Sequence, residues 1–524
     1  MQFRASLRAG AAIFALVSAG AISQAGDVFS IADAIQQAVR NYPSIAEATA
    51  NRRATEAELR QTQATGLPQV RLEAKAGPER FNQNITPPPP GNDRWLHGKQ
   101  ASVVLRQLLF DGFATVNQIW RQAARVDAAA ARVLERTELV ALDAAEAYIN
   151  VVRYMQLVTV AQNNVAAHRK IYGNIDARYK GGRSGEGDLQ QIRERAENAE
   201  AILADFRLNL DQARATYRKV VGVEPYNLRF PGRLPGLPAT RDQSLAVAVK
   251  FNPTIRAAQA DADAAKYGFD ATAGSFAPNV AFEARASTGR DSDTFIGDRH
   301  DESFKLVASW DIWRSGQDSW ARQEAAERWA EQSARHATLQ RAALESIDKA
   351  WSARTITNER ARALAAQIDS ARRVVETYAK EYDLGQRTLI DLLDSQNQFF
   401  NAQVSLISLR GVAVFADYQL LAAMGQLLAY MKMDRPIEAE PIDIRPANLF
   451  VMKAAPIRWR LDEPGSEPLN AANPPNAREV TGWWPATWGY RAGAGPYGNA
   501  PVVSSQALTT TLFSSAFETG SAAK

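Results

Sequence analysis

The chain has 524 residues, 23% of them charged, a net charge of only +4 and no cysteine. The missing cysteine excludes disulfides, thiol chemistry and a lipid-modified N-terminal cysteine. The balanced charge, with no long basic run, leaves no electrostatic case for nucleic acid. The four histidines, His97, His168, His300 and His336, are scattered. A His/Cys metal site is therefore not expected, and no cofactor is implied.

Residues 1–25 read as a secretory signal. Arg4 and Arg8 supply the positive start, Ala9 to Ala21 is a short apolar run, and Ser23-Gln24-Ala25 offers small residues for cleavage after Ala25. No later segment is a long unbroken apolar run, so any membrane crossing falls to a β-barrel. Ser30 to Thr65 is rich in Ala, Glu, Arg and Gln, which favours helix, and Gly66 and Pro68 end it. From Gln69 the period switches to two: Val70, Leu72, Ala74 and Ala76 alternate with Gln69, Arg71, Glu73 and Lys75. This predicts a strand over 69–80. A proline-rich loop, Pro87-Pro88-Pro89-Pro90-Gly91-Asn92, separates it from a second strand over 101–110.

From Val116 to Tyr179 there is no proline, and Gly173 is the one glycine. A stripe at alternating steps of four and three runs from Val126 through Ala130, Val133, Thr137, Val140 and on to Ile175 and Tyr179, with His168 as a packed member. That is a heptad seam on a helix of about 100 Å. A second apolar set, Leu134, Leu142, Ile149 and Val152, gives this helix two neighbours. A tip at 180–188 and a return helix close the first unit.

A linker over 225–240 holds Pro225, Pro231, Gly232, Pro235, Gly236 and Pro238, which no helix accepts. The second unit, 241–433, repeats the first, 28–224. Pro43 and Pro253 are 210 residues apart, as are Pro68 and Pro278. Strands are predicted over 278–289 and 303–313, the latter with Phe304, Leu306, Ala308, Trp310 and Ile312 on its apolar face. A second long helix runs from Ser319 to Asp383. Its seam is clear from Ala361 to Tyr382 and blurred around Arg341 to Arg354. A tip at 383–391 and a return helix follow. Residues 435–524 are rich in Pro, Gly, Ala and Ser and read as a partly disordered extension.

The two tips share one pattern. Gly182 and Asp188 are spaced like Gly385 and Asp391, with an offset of 203 residues in each pair. Gly182 and Gly385 are the helix breaks. Thr388 is placed to cap the returning helix, and Asp391 and Asp394 share one of its faces. One copy alone reads more readily as a solvated helix start; the second copy argues for a shared device. The four strands, each with one apolar face, suit an outer-membrane crossing, with Trp95, Trp310 and Trp313 at an interfacial belt. Four strands cannot close a membrane barrel, so the chain must oligomerise or use the strands otherwise.

The Asn252-Pro253 and Leu67-Pro68-Gln69-Val70 starts, the duplicated unit and Tyr382-Asp383-Leu384-Gly385-Gln386-Arg387-Thr388-Leu389-Ile390-Asp391-Leu392-Leu393-Asp394 resemble the TolC family of outer-membrane efflux and secretion channels. The likeness covers roughly 28–433. It implies a mainly α chain with a membrane β-barrel contribution. In a homotrimer, three copies would close a twelve-stranded barrel above a periplasmic α-helical tunnel. The address implied is the outer membrane of a Gram-negative bacterium, among outer-membrane lipids. The implied partners are a periplasmic adaptor (membrane fusion) protein and an inner-membrane ABC transporter, or alternatively a proton-driven pump.

The resemblance further implies that Asp391 and Asp394 ring the tip aperture, and that Tyr382 and Arg387 tether the inner hairpin to Asp188 on the outer one. Gly187 departs from the hydroxyl residue expected beside Asp188. Ser309-Trp310-Asp311-Ile312-Trp313-Arg314-Ser315-Gly316 is similar to the fourth-strand ending of the secretion branch, and the missing lipidation cysteine fits that branch. The first reading is therefore the exit duct of a type I protein secretion system, and the alternative is the outer-membrane component of a tripartite drug or metal efflux pump. A periplasmic spacer or surface receptor is the non-transport reading. No nucleophile–base set or phosphate loop points to an enzyme.

Overall fold

The computed structural model describes residues 28–80, 82, 84, 86–88, 92–292, 296–442, 444, 449–450, 458–459 and 478–479. The expected signal segment, and most of the expected C-terminal extension, lie outside the described residues. Two matching halves follow one another. The first runs α1 (Ile31–Asn41), α2 (Pro43–Thr65), β1 (Gln69–Arg80), β2 (Trp95–Phe110), α3 (Ala114–Lys180) and α4 (Glu186–Val221). The second runs α5 (Arg241–Phe251), α6 (Pro253–Ala271), β3 (Asn279–Arg290), β4 (Asp298–Ser309), α7 (Gln317–Asp383) and α8 (Leu389–Ala423), followed by the short α9 (Leu427–Tyr430). The fold is thus mostly helical, a tandem α-β-β-α-α repeat with one open four-stranded sheet.

Local chemistry sets the element ends. Ser30 and Asp33 form a capping box at the start of α1: Asp33 N–H donates to Ser30 Oγ at 3.2 Å, and Ser30 N–H to Asp33 Oδ2 at 2.9 Å. Pro43 and Pro253 open α2 and α6 at the first turn, where a missing N–H costs nothing. The copies differ just before them. Asn252 accepts from Ile255 N–H at 3.1 Å, whereas Tyr42 offers no side-chain cap.

The sheet is antiparallel throughout, in the order β1-β2-β3-β4. Three boundaries differ from the sequence pattern, one of them the start of β4 at Asp298 rather than 303, because β3 continues to Arg290 and Arg290 faces Asp298. Strand β2 begins at Trp95, because β1 continues to Arg80 and Arg80 faces Trp95. The polar His97, Lys99 and Gln100 hide that extension from any alternation test. Strand β4 stops at Ser309, because its partner β3 begins opposite at Asn279. Trp310 to Trp313 therefore lie past the ladder rather than on its apolar face, and Ser315 (φ +52°) and Gly316 (φ +82°) turn the chain into α7.

The described chain divides into two compact units. One holds Asp143–Pro235 and Ala353–Asp417 with the residues up to Ala38; the other holds Val39–Leu142, Gly236–Ser352 and the residues from Tyr418 onward. In the first unit, Ala161, Val165, Ala199, Leu203 and Phe400 bring α3, α4 and α8 together, while Ile368, Ala402 and Leu406 join α7 to α8. By length and composition alone α8 is apolar enough to cross a membrane, yet its Phe400, Leu406, Leu409 and Val414 are core residues. The linker is fixed to this unit by Arg233, whose guanidinium grips Asp417 through Nε (2.6 Å) and Nη2 (2.9 Å), while Leu234 N–H donates to the same carboxylate at 3.2 Å. Arg354 approaches Asp417 Oδ1 at 3.3 Å, and Asp417 is 1% exposed.

In the second unit, Leu59, Ile119, Ala123 and Val126 pack with Leu449, and the flanking Ile442 and Ile444 lie against them. Ile442 N–H donates to Asp127 at 2.8 Å. The buried Glu138 accepts from Leu427 N–H at 3.0 Å and Leu428 N–H at 3.3 Å, satisfying the open end of α9. Burial, opposed by those two hydrogen bonds and by Arg435, pushes the Glu138 carboxyl up to about 7.

Candidate functional site: the hairpin tips and the inverted sheet

Both hairpin tips are built by one backbone device. After α3, Gly182 N–H donates to Tyr179 O at 2.9 Å and Arg183 N–H to Arg178 O at 2.8 Å. After α7, Gly385 N–H donates to Tyr382 O at 3.0 Å and Gln386 N–H to Glu381 O at 2.8 Å. This nested pair is a Schellman motif, which requires a left-handed residue at its centre. Gly182 (φ +70°) and Gly385 (φ +76°) fill that place. A Cβ at either position would meet no neighbour, so the need for glycine is conformational rather than steric.

The returning helices start differently. At the second tip, Thr388 Oγ1 accepts from Asp391 N–H at 3.3 Å while Thr388 N–H reaches Asp391 Oδ2 at 3.4 Å and its hydroxyl donates to the same oxygen at 2.8 Å. Asp391 is thus half of a capping box. At the first tip, Gly185 takes the position of Thr388 and gives no side-chain cap, so Ser184 one residue earlier donates to Asp188 Oδ2 at 2.9 Å. Asp391 is half-buried in its box, and Asp394, on the same face, is exposed.

The contact between the hairpins joins Tyr382, one of the expected tether residues, to Arg178, and adds Asp383; neither Arg178 nor Asp383 was singled out by the sequence pattern. Arg178 on α3 donates to Asp383 Oδ1 at 2.8 Å, and its guanidinium lies over the Tyr382 ring at 4.9 Å. Burial raises the Tyr382 phenol, with Arg178 opposing and Asp188 reinforcing the shift. Tyr382 therefore sits beside Ser184, Asp188 and Arg178. Arg387 does not reach Asp188 within the chain. Its Nε donates to Glu381 at 2.8 Å and its guanidinium lies 4.3 Å from the Tyr378 ring centre, because the turn at Gly385 folds it back along its own hairpin. One signal pointed to Asp383: a carboxylate in the last turn of a helix has the wrong sign for the helix dipole and needs a cation nearby. Beneath the tips, Ile175, Leu189, Ile192, Leu389 and Leu393 form the core that holds α3, α4 and α8 together.

The sheet is inverted relative to a soluble protein. Val70, Leu72, Phe304 and Leu306, all on one face, are 68%, 74%, 74% and 72% exposed. The opposite face carries registered polar rows such as Gln69, Arg106, Glu283 and Lys305, and its Ser102 is buried. An apolar face turned outward over four strands needs a hydrocarbon solvent. Trp95, Trp310 and Trp313 are exposed as well, the last at 81%. Among the described residues, β1 and β4 each pair along one edge only.

Comparison with known proteins gives the family. The family model described as outer membrane efflux protein matches residues 34–223 and 245–426. The outer membrane efflux protein BepC of Brucella suis is 27% identical over 328 residues, covering 62% of this chain and 72% of that protein. The alkaline protease secretion protein AprF of Pseudomonas aeruginosa is 22% identical over 379 residues, covering 70% and 76%. Among solved structures, the outer membrane protein VceC of Vibrio cholerae superposes with a TM-score of 0.68 at 18% identity, covering 76% of this chain and 96% of that one. With the family model matching both halves of the repeat, and the inverted sheet and long helical hairpins in place, the chain belongs to the TolC-type outer membrane efflux protein family: an outer-membrane transport conduit with a long periplasmic helical part, and not an enzyme.

Proposed function

We propose that three copies of this chain close a twelve-stranded barrel through the free edges of β1 and β4, and that the resulting duct is the outer-membrane exit of a tripartite efflux pump. The observation that carries the channel reading is the outward apolar face of an unclosed sheet. TolC-type channels work with a periplasmic adaptor and an inner-membrane transporter. The likeness to BepC, an outer membrane efflux protein, supports the efflux reading. A second reading, the exit duct of type I protein secretion with an ABC transporter, is supported by the likeness to AprF and by the Trp310-Asp311-Ile312-Trp313 segment.

In both readings the tips are the gate. Asp391 and Asp394 would ring the aperture and favour cations. Tyr382 and Arg178, together with Asp188 through Ser184, would hold the hairpins shut. Arg387 would be available to a neighbouring copy once Glu381 releases it. Opening is then a two-state swing of the α7–α8 hairpin when a partner docks. Deletion of the gene, with a panel of toxic compounds tested beside a profile of the culture medium, separates the readings. Raised sensitivity with an intact set of secreted proteins supports efflux. Loss of one secreted protein with unchanged tolerance overturns efflux in favour of secretion.

A further inference from the structure

The polar face of the sheet is ordered by charge. The registers place Arg71, Val104, Arg285 and Ser303 in one row across the four strands. The next row is Glu73, Ser102, Ser287 and Asp301, and the one beyond it is Lys75, Gln100, Gly289 and Arg299. Each of these three rows carries charges of one sign, and the sign alternates, basic, acidic, basic, while the row before them, Gln69, Arg106, Glu283 and Lys305, is mixed with a basic excess. Successive rows on one face of a sheet lie about 7 Å apart, which is within one Debye length at physiological salt. The single acidic row therefore lies between two basic ones that outnumber its charges. Its carboxylates are already engaged: Glu73 lies 3.6 Å from Arg71, and Asp301 pairs with Arg299. Arg285 and, one row below, Lys305 are exposed and enter no ion pair among the described residues. This face is cationic, whereas the aperture residues Asp391 and Asp394 are anionic.

We infer that the Arg71–Arg285 and Lys75–Arg299 rows form cationic belts that bind multivalent anions and give the barrel part of the duct a preference for anionic solutes. The inference rests on the reading above that copies of the chain close the sheet with its polar face inward. Inside a barrel, charges at one level act together on a partly dehydrated solute, with little screening. Arg285 supplies the free guanidinium, a planar fork suited to carboxylate and sulfate groups. The cargo class that follows is small organic anions bearing such groups. The acidic tip then filters by charge at a different place and with the opposite sign.

The test is planar-bilayer recording of the full-length protein in KCl, with benzenehexacarboxylate as the probe. Added from the side to which the barrel opens, it should block the parent channel. Arg71→Gln with Arg285→Gln should weaken that block roughly tenfold or more, whereas Arg71→Lys with Arg285→Lys, which keeps the charge, should retain it. An unblocked parent channel would overturn the inference, as would an equal block in the Gln variant or loss of block in the Lys variant. Should the double Gln variant fail to insert, Arg285→Gln alone, which breaks no ion pair, carries the same comparison. A parent protein that gives no conductance at all would instead remove the channel reading on which the inference rests.

Discussion

The two long helices are copies of one another in length and position, yet they are used in different ways. Helices α3 and α7 each have 67 residues, and both their starts and their ends are 203 residues apart. On α3 the seam is filled: Val126, Ala130, Val133, Thr137, Val140, Ala144, Ala147 and Val151 are all buried. The matching positions on α7 begin with Trp329, Ser333, His336 and Gln340, become apolar at Ala343, Ile347 and Ala350, and reach Arg354 where α3 has Val151. Of the first four none is buried, and of the next three all are. Duplication preserved the helix and its ends, while the seam diverged. The helix of the first copy is packed by its own chain. Much of the second presents an exposed surface, Trp320, Ile356 and Val374 included, which fits contact with other copies or with the water of a duct.

The sharpest break in this comparison is at Arg354. There α7 replaces a packed valine by an arginine that shares the buried Asp417 with Arg233. Asp417→Ala should destabilise the protein by about 3–5 kcal/mol, because it removes a buried carboxylate shared by Arg233, Arg354 and the Leu234 N–H. Thermal unfolding in detergent checks this; a loss under about 1 kcal/mol would demote the cluster to a surface contact.

The next effect lies on the α3 side. The carboxyl of Glu138 is raised from its usual value to about 7, chiefly by burial. A folded-state pKa above the unfolded one means that the native state holds the extra proton. Stability should therefore fall as the pH rises from about 5 to 8, by an amount on the order of 3 kcal/mol. Glu138→Gln should flatten that profile while keeping an acceptor for Leu427 N–H. A profile unchanged by the substitution would assign the pH dependence elsewhere.

Smaller again is the packing contrast itself. Val133→Ala on α3 should cost about 1–2 kcal/mol, while His336→Ala at the matching position on α7 should cost less than about 0.5 kcal/mol. Equal costs would show that α7 is as tightly packed in the assembly as α3 is in the chain. Small in stability, yet largest in conductance, are the tips. Asp391→Ala removes a cap worth about 1 kcal/mol. Arg178→Ser and Arg387→Ser should both leave thermal unfolding nearly unchanged and raise the resting conductance of the reconstituted channel. A silent Arg178→Ser would remove the Arg178–Asp383–Tyr382 contact from the latch.

Much of this architecture was legible because it rests on local rules. The alternation from Gln69 marks β1, and the switch to a heptad step marks α3. Glycines at 182 and 385 end helices that have no other reason to stop. What was not legible depends on partners distant in sequence. The start of β2 at Trp95 is fixed by β1, and the end of β4 at Ser309 by β3, so neither shows in the strand's own pattern. Arg387 lies near Glu381 because the turn at Gly385 folds it back, a geometry that spacing alone does not give. Asp417 left a trace as the single charge between Gly411 and Ala423, but its two arginines are far away in sequence. Glu138 left none, since it is one of several charged residues between Arg132 and Val140.

In the trimer proposed above, the sheet left open in one chain is closed by other copies. The chain has no native cysteine, so introduced pairs report cleanly. Val70→Cys on β1, combined in turn with Phe304→Cys, Leu306→Cys and Ala308→Cys on β4, scans the free edges for a staggered register. Oxidation in outer-membrane fractions should give, for at least one pair, a denaturant-resistant ladder of one, two and three chains that collapses on reduction. If every pair remained monomeric, or the ladder ran past three chains, the closed trimeric barrel would be contradicted.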